Sequence, residues 1–223
     1  MTLRIALAIA AKDLRVEARS RYALSAVLPF AATMLLAFGF ALGPGRTLLV
    51  QTAPGLLWLA GLFAAVDLFH RSYQAEADSG ALEGLLLSPA FKGGIYLGKA
   101  AAAAAQLFVL FLATAGLVMA LFGLPVGPAP ELLLLTVVLG IVGLSALGSL
   151  FGLLTVLGRS RRAALPILIL PLVSPVIIAA IRATALLTEG VNGQVGGWLG
   201  LLVAFDAAFL ATGYLVFTHL LED

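Results

Sequence analysis

Apolar residues run through this chain in six long blocks separated by short polar connections. These blocks predict membrane spans at about 22–42, 48–69, 97–123, 131–157, 163–187 and 198–221. Each block is close to the ~20 residues that an α-helix needs to cross the hydrocarbon core of a bilayer. Because a helix satisfies its backbone hydrogen bonds internally, the pattern predicts an all-α integral membrane protein with six transmembrane helices.

The longest polar interruption lies between the second and third predicted spans, at 69–99. Asp78 and Ser79 favour a helix N-cap, and Leu82, Leu85 and Leu86 follow with the spacing of one helix face. The resulting helix is roughly 15 Å long at 1.5 Å per residue. It is too short to cross a bilayer and needs a surface to dock against. A helix lying on the lipid headgroups is the alternative. The acidic residues of the loop favour docking, because anionic lipid surfaces repel carboxylates.

Residues 1–21 precede the first span and predict an amphipathic interfacial helix. Four cations fall within roughly 80° of one another on a helix, at Arg4, Lys12, Arg15 and Arg19. Two apolar stripes flank this basic strip, formed by Leu3, Leu7 and Leu14 and by Ile5, Ile9 and Val16. We expect the cations to face anionic headgroups. A basic arm for nucleic acid is disfavoured, because the segment lacks aromatic residues and adjoins a span.

Composition supports the membrane assignment. Apolar residues make up 62% of the 223 residues and charged residues only 11%, whereas a soluble domain has about a quarter charged residues. Six spans leave no room for a separate globular domain, so 1–223 is predicted to be one transmembrane domain. The chain has no cysteine, which excludes disulfides, thiolate metal sites and covalent haem attachment through cysteine.

The distribution of Lys and Arg predicts the orientation. Nearly all of them fall on the side of the N-terminus, whereas the opposite side carries Arg46, together with Arg182 if its segment lies at the outer surface. By the positive-inside rule both termini are cytoplasmic. The loop at about 70–96 then also faces the cytoplasm.

The chain contains no convincing catalytic motif. Gly93-x-x-x-x-Gly98-Lys99 matches a phosphate-binding loop up to Ala100, which replaces the required Ser or Thr, and no strand precedes it. Ser145 in the fourth span has no base placed to activate it. The two histidines lie at cytoplasmic ends of spans, where an interfacial imidazole is favoured over a metal or haem ligand.

Two spans carry unusual residues. The fourth has a face of small residues that allows another helix to approach closely, at Ser145, Gly148, Ser149 and Gly152. The fifth contains prolines that should kink or break it, at Pro166, Pro171 and Pro175. We therefore leave open whether 176–187 spans the membrane or lies at the outer surface.

Three parts of the chain carry a resemblance to a known family. The loop reads E-x-D-x-G-x-L-E-x-L-L-x-S-P over 76–89, followed by G-K at 98–99. This pattern resembles the cytoplasmic loop of ABC-2-type exporter permeases. The N-terminal K-D-L-R-x-E-x-R-x-R at 12–21 and P-G-L-L-W at 54–58, with six spans, are similar to the haem-exporter permeases of cytochrome c maturation, the CcmB family.

The resemblance implies a non-catalytic permease subunit of an exporter in the bacterial inner membrane. It implies a CcmA-like ATPase partner that binds the ATP, a second copy of the chain, and CcmC- and CcmD-like subunits. Haem would be the substrate and no cofactor would be bound firmly. The positions that match the coupling loop are Glu76, Asp78, Gly80, Leu82, Glu83, Leu85 and Leu86. A permease for a lipid, polysaccharide or drug, and a scaffold that transports nothing, remain alternatives.

Two charges lie inside the outer half of the predicted spans, Arg182 and Asp206. An unpaired charge at such a depth costs ~2.5–3.5 kcal/mol on insertion scales, so we expect an intramembrane ion pair. Two other roles stay open for Arg182. It would meet haem propionates if it lines a substrate path, or water if its segment lies at the outer surface.

Overall fold

The computed structural model describes residues 2–20, 23–78, 80, 84, 92–157 and 165–220. Over this part of the chain it contains helices and no strand. The α-helices are α1 Thr2–Ser20, α2 Leu28–Leu42, α3 Arg46–Asp78, α4 Lys92–Phe122, α5 Pro130–Leu157, α6 Leu165–Glu189 and α7 Val195–Leu220. A π-helical turn, Ala23–Val27, leads into α2, and a 3-10 turn, Asn192–Gln194, leads into α7.

Six helices in the described ranges are long and apolar enough to cross a membrane, α2 to α7. The predicted spans are thereby confirmed, and α1 is present as the helix that precedes them. The helices at the loop are longer than predicted, because α3 continues through Asp78 and α4 already begins at Lys92. The predicted loop at 70–96 therefore includes the last turns of α3 and the first turn of α4.

Helix α5 lies at the centre of the fold, against α3, α4, α6 and α7. Three aromatic rings of α3 occupy the space that side chains on glycines of α5 would need. These pairs are Trp58 with Gly140, Phe69 with Gly148, and Tyr73 with Gly152. The pairs advance in the same direction along both helices, so α3 and α5 run parallel. The small-residue face predicted for the fourth span is confirmed as a packing surface.

Helix α1 packs along the first turns of α4. A Cβ added at Gly98 would lie 2.6 Å from the carbonyl oxygen of Ala6, and one at Gly94 would lie 3.0 Å from that of Thr2. No real side chain tolerates the first of these distances, so glycine permits the backbones to approach. This packing explains Gly98 of the pattern that resembles a phosphate-binding loop. Its other glycine, Gly93, faces α7, where a Cβ would lie 2.5 Å from the ring of Tyr214.

The prolines of the fifth span were predicted to kink or break it, and α6 is not broken there, because it is continuous from Leu165 to Glu189. Pro175 removes the backbone donor that would have bonded to the carbonyl of Pro171. The hydroxyl of Ser174 donates to that same carbonyl at 2.8 Å and replaces the lost bond. The residues at 176–187 accordingly belong to a helix long enough to span the membrane.

Candidate functional site: a buried charge ring at the base of the loop

Four charged side chains from three helices meet at the point where α3 and α4 flank the loop. They are Lys12 and Asp13 of α1, Glu76 of α3 and Lys99 of α4, and we call them the charge ring. Both residues of the N-terminal K-D motif and both ends of the loop motif thus lie in one cluster. The two cations and two anions give the ring a formal net charge of zero.

Each cation of the ring contacts both carboxylates. Lys99 Nζ lies 2.7 Å from Glu76 Oε2 and 3.3 Å from Asp13 Oδ2. Lys12 Nζ lies 3.1 Å from Asp13 Oδ1 and donates a hydrogen bond to Glu76 Oε1. The four contacts form a closed cycle, so no member depends on a single partner.

The ring is largely shielded from solvent. The side chain of Lys99 is 3% exposed and that of Glu76 is 9% exposed, whereas Lys12 is 45% exposed at the edge. Removing one partner from a buried ion pair costs ~3–5 kcal/mol, because it leaves a charge without compensation. The four residues are therefore energetically coupled, even though the net stabilisation by the whole ring is small.

Lys12 lies outside the predicted spans, and the carboxylates of the charge ring shift its pKa. Partial burial acts to lower the pKa of Lys12, but the hydrogen bond to Glu76 and the charges of Asp13 and Glu76 outweigh it. The net effect raises the pKa above its ordinary value of 10.5. Lys12 therefore remains protonated at neutral pH. Its contribution to stability is present below pH 10.5 and is lost as the pH rises through the raised pKa.

A tyrosine connects the ring to the central helix. Tyr73 lies one turn before Glu76 on α3, and Lys99 Nζ is 4.6 Å from the centre of its ring, a cation–π distance. Its hydroxyl donates to the carbonyl of Ser149 on α5 at 2.7 Å. Tyr73 is 2% exposed. The charge ring is therefore in direct contact with a residue that is anchored to α5.

A second tyrosine holds α4 in the same region. Tyr96 lies one turn before Lys99 and is fully buried. Its hydroxyl lies 3.0 Å from the carbonyl of Ala146 on α5 and 3.2 Å from that of Phe209 on α7. Sequence reasoning missed both tyrosines. The signal that could have identified them is the repeated spacing, Tyr-x-x-Glu before the loop and Tyr-x-x-Lys after it.

Glu76 was predicted to contact an ATPase on the loop surface, but it lies buried in the charge ring. It is 7% exposed and is bound within the chain by Lys12 and Lys99, so it does not present its charge to a partner. Asp78 and Gly80 are exposed. The remaining predicted positions, Leu82, Glu83, Leu85 and Leu86, lie outside the described residues.

Helix α1 follows the amphipathic pattern with one correction. Ala6 and Ile9 are buried against the rest of the fold, whereas Leu3 and Leu7 are 73% and 61% exposed. All four cations of the basic strip are exposed, but Lys12 departs from the expectation because its ammonium group also contacts the charge ring. The carboxylates of Asp13 and Glu76 account for this difference.

The predicted ion pair between Arg182 and Asp206 is not formed. Asp206 is 5% exposed, and both its carboxylate oxygens lack a hydrogen-bond partner among the described residues. A Cβ at Gly143 would lie 2.7 Å from Asp206 Oδ1, so the carboxylate points towards α5. Arg182 is on an exposed part of α6. The two residues have similar predicted depths, but their side chains face different directions.

Fold and site together define a multi-pass helical membrane protein whose loop between the second and third candidate spans is anchored at both ends by buried charges. The family model described as CcmB protein matches residues 4–222. The chain therefore belongs to the CcmB family.

Three relatives extend over almost the whole chain. A protein of Pseudomonas aeruginosa called heme exporter protein B is 31% identical over 196 residues, which is 87% of each chain. The protein of the same name from Haemophilus influenzae is 30% identical over 90% of this chain and 89% of its own. That of Rhodobacter capsulatus is 29% identical over 92% of both chains.

Proposed function

We propose that this chain is the membrane-spanning permease subunit of an ATP-driven exporter that delivers haem across the cytoplasmic membrane for cytochrome c assembly. The family match over residues 4–222 carries this proposal. The names of the relatives, heme exporter protein B, supply the substrate. The six candidate spans fit a subunit that forms a path across the bilayer.

Energy for transport would come from a separate ATPase subunit, similar to CcmA, that binds the ATP. We propose that it docks on the loop between α3 and α4, through the leucine face of Leu82, Leu85 and Leu86 and the acidic residues Asp78 and Glu83. The buried Glu76 is not part of this contact. The anchoring of both loop ends by the charge ring supports this role, because a loop that receives force must stay connected to the rest of the membrane domain.

The working complex is proposed to contain two copies of this chain, so that each of two ATPase subunits meets one loop. CcmC- and CcmD-like membrane subunits would accept or release the haem. The excess of Lys and Arg on the side of the N-terminus favours cytoplasmic termini and a cytoplasmic loop.

Reconstitution of the complete complex in vesicles tests the proposal through the rate of ATP hydrolysis with and without haem. Stimulation by haem, and its loss in a Leu82→Ala/Leu85→Ala/Leu86→Ala variant, are the expected results. Stimulation by a lipid or drug but not by haem would assign a different substrate. An ATPase that binds but responds to no substrate would favour a scaffold that transports nothing.

A further inference from the structure

We propose that the charge ring is a movable joint that keeps α1 and α4 attached to α3 while ATP-driven motion of the loop shifts α3. This inference rests on the proposed function and specifies how the loop is connected to the rest of the membrane domain. Its four members are positioning residues, since they would contact neither haem nor ATP.

The joint has two sides, α1 with α4 on one and α3 on the other, and α1 and α4 are packed closely together. Helix α1 meets α4 through direct backbone approach, with Gly98 placed so that a Cβ would be 2.6 Å from the carbonyl oxygen of Ala6. Close-packed backbones resist relative displacement, because any shift produces overlap or a void. Helices α1 and α4 are thus expected to move as one body. Glu76 is the only member of the ring contributed by α3.

The closed cycle of contacts permits displacement without stranding a charge. If α3 moves so that Glu76 loses Lys12, it retains Lys99, and Lys12 retains Asp13. If α3 moves so that Glu76 loses Lys99 instead, Glu76 retains Lys12, and Lys99 retains Asp13. A single buried ion pair has no such alternative, because breaking it leaves two uncompensated charges. The ring therefore provides two connected states of the same interface.

Tyr73 connects this joint with the centre of the protein. It packs against Lys99, hydrogen-bonds to the backbone of Ser149, and fills the space beside Gly152. A shift of α3 at Glu76 is thus passed to α5 through Tyr73, which lies one turn away. Helix α5 contacts four of the other candidate spans. Motion of the loop reaches the centre of the membrane domain through this contact.

Distance measurements on the complete complex test the joint directly. The chain has no natural cysteine, so spin labels can be attached at Ala18 on α1, Gln74 on α3 and Ala101 on α4, which are all exposed. ATP is expected to change the distance between Ala18→Cys and Gln74→Cys and to leave that between Ala18→Cys and Ala101→Cys unchanged. Equal changes, or no change in the first, overturn the proposal. The readout does not require haem, so it remains decisive if haem is not the substrate.

Charge variants separate a joint from a merely structural cluster. In Glu76→Gln, stimulation of ATP hydrolysis by substrate is expected to fall about tenfold, within the usual range of coupling between sites, while the ATPase stays bound. Reversal of all four charges, Lys12→Glu/Asp13→Lys/Glu76→Lys/Lys99→Glu, recreates every attractive contact and should restore the stimulation. Full stimulation in Glu76→Gln contradicts the joint, as does a reversed ring that folds and binds the ATPase without recovering it.

An apolar ring provides the matched control. Replacing a buried ionic network by apolar residues is often neutral for stability, so Lys12→Met/Asp13→Leu/Glu76→Met/Lys99→Met can retain the melting temperature. The joint predicts that this variant binds the ATPase but loses the ATP-dependent change between α1 and α3. Retention of that change with an unaltered amplitude would show that packing alone connects the helices. If this variant does not fold, Glu76→Gln and the reversed ring decide.

Discussion

The indole N–H of Trp58 donates a hydrogen bond of 2.9 Å to the hydroxyl of Thr184 and joins α3 to α6 in the interior. Trp58 is fully buried, and its ring lies 4.6 Å from that of Phe111 on α4, centre to centre. The same ring fills the space beside Gly140 on α5. One side chain therefore connects four of the six candidate spans.

Substitution of Gly140 tests this packing. A Cβ at this position overlaps the Trp58 ring, so Gly140→Ala forces a shift in a close-packed interior and is expected to cost about 1–3 kcal/mol. The measurement is the thermal unfolding of the purified protein in detergent. Gly116→Ala on α4 is the matched control, because its Cβ would meet nothing within 4 Å. Equal melting temperatures for the two variants would contradict the assigned packing.

The leucine face of the loop is expected to carry the ATPase contact. Truncating leucines that are buried at an interface costs roughly 2 kcal/mol each where they are hot spots. Leu82→Ala/Leu85→Ala/Leu86→Ala should therefore abolish recovery of the ATPase subunit in a pull-down.

The control for the leucine face is Leu134→Ala/Leu135→Ala, which truncates leucines of α5 that are 51% and 43% exposed on the membrane-spanning part of the fold. This variant should recover the ATPase like wild type. Undiminished recovery with the triple variant would exclude the leucine face as the docking surface.

The number of copies is open to direct measurement. The proposed complex contains two ATPase subunits, whereas one chain offers only one loop between α3 and α4. We expect native mass spectrometry of the complex in detergent to find two copies of this chain with two ATPase subunits. One copy bound to two ATPase subunits would contradict this stoichiometry.

The sequence was sufficient for the spans, because long apolar blocks have one stable arrangement in a bilayer. It was also sufficient to identify the loop and the small-residue face of α5. It did not reveal that Glu76 turns inward. A loop carboxylate is ordinarily solvated, and its partners Lys12 and Lys99 are 64 and 23 residues away in the chain. Only the packing of α1 on α4 brings those cations to it.

Of the kink or break predicted in α6, the break does not occur, for a local reason. Pro175 cannot donate a backbone hydrogen bond, but the hydroxyl of Ser174 donates to the carbonyl of Pro171 that this leaves free. The pairing of Arg182 with Asp206 failed because depth along a helix can be read from sequence, whereas the direction of each side chain around its helix depends on packing. Asp206 turns towards Gly143 because that glycine leaves room for it.

The separation of Arg182 from Asp206 leads to a testable difference between their variants. An ion pair would make Arg182→Gln and Asp206→Asn destabilise the protein by similar amounts, with a large interaction energy in the double variant. Without the pair, Arg182→Gln should change stability little, because the guanidinium lies on an exposed part of α6 in its last two turns, from which a long side chain can extend to the interface. Asp206→Asn is nearly isosteric and removes a buried charge, so it should be at least as stable as wild type.

A double-mutant cycle on thermal or denaturant unfolding measures the coupling between these two residues. Sites without a shared contact are additive within about 0.5 kcal/mol, and we expect the cycle of Arg182→Gln and Asp206→Asn to close within that limit. Gly143→Ala should by contrast be sensitive to residue 206, because its Cβ would lie 2.7 Å from the carboxylate oxygen. A smaller residue in Asp206→Ala should relieve part of its cost. Strong coupling of residue 206 to Arg182, with none to Gly143, would reverse this assignment and restore the ion pair.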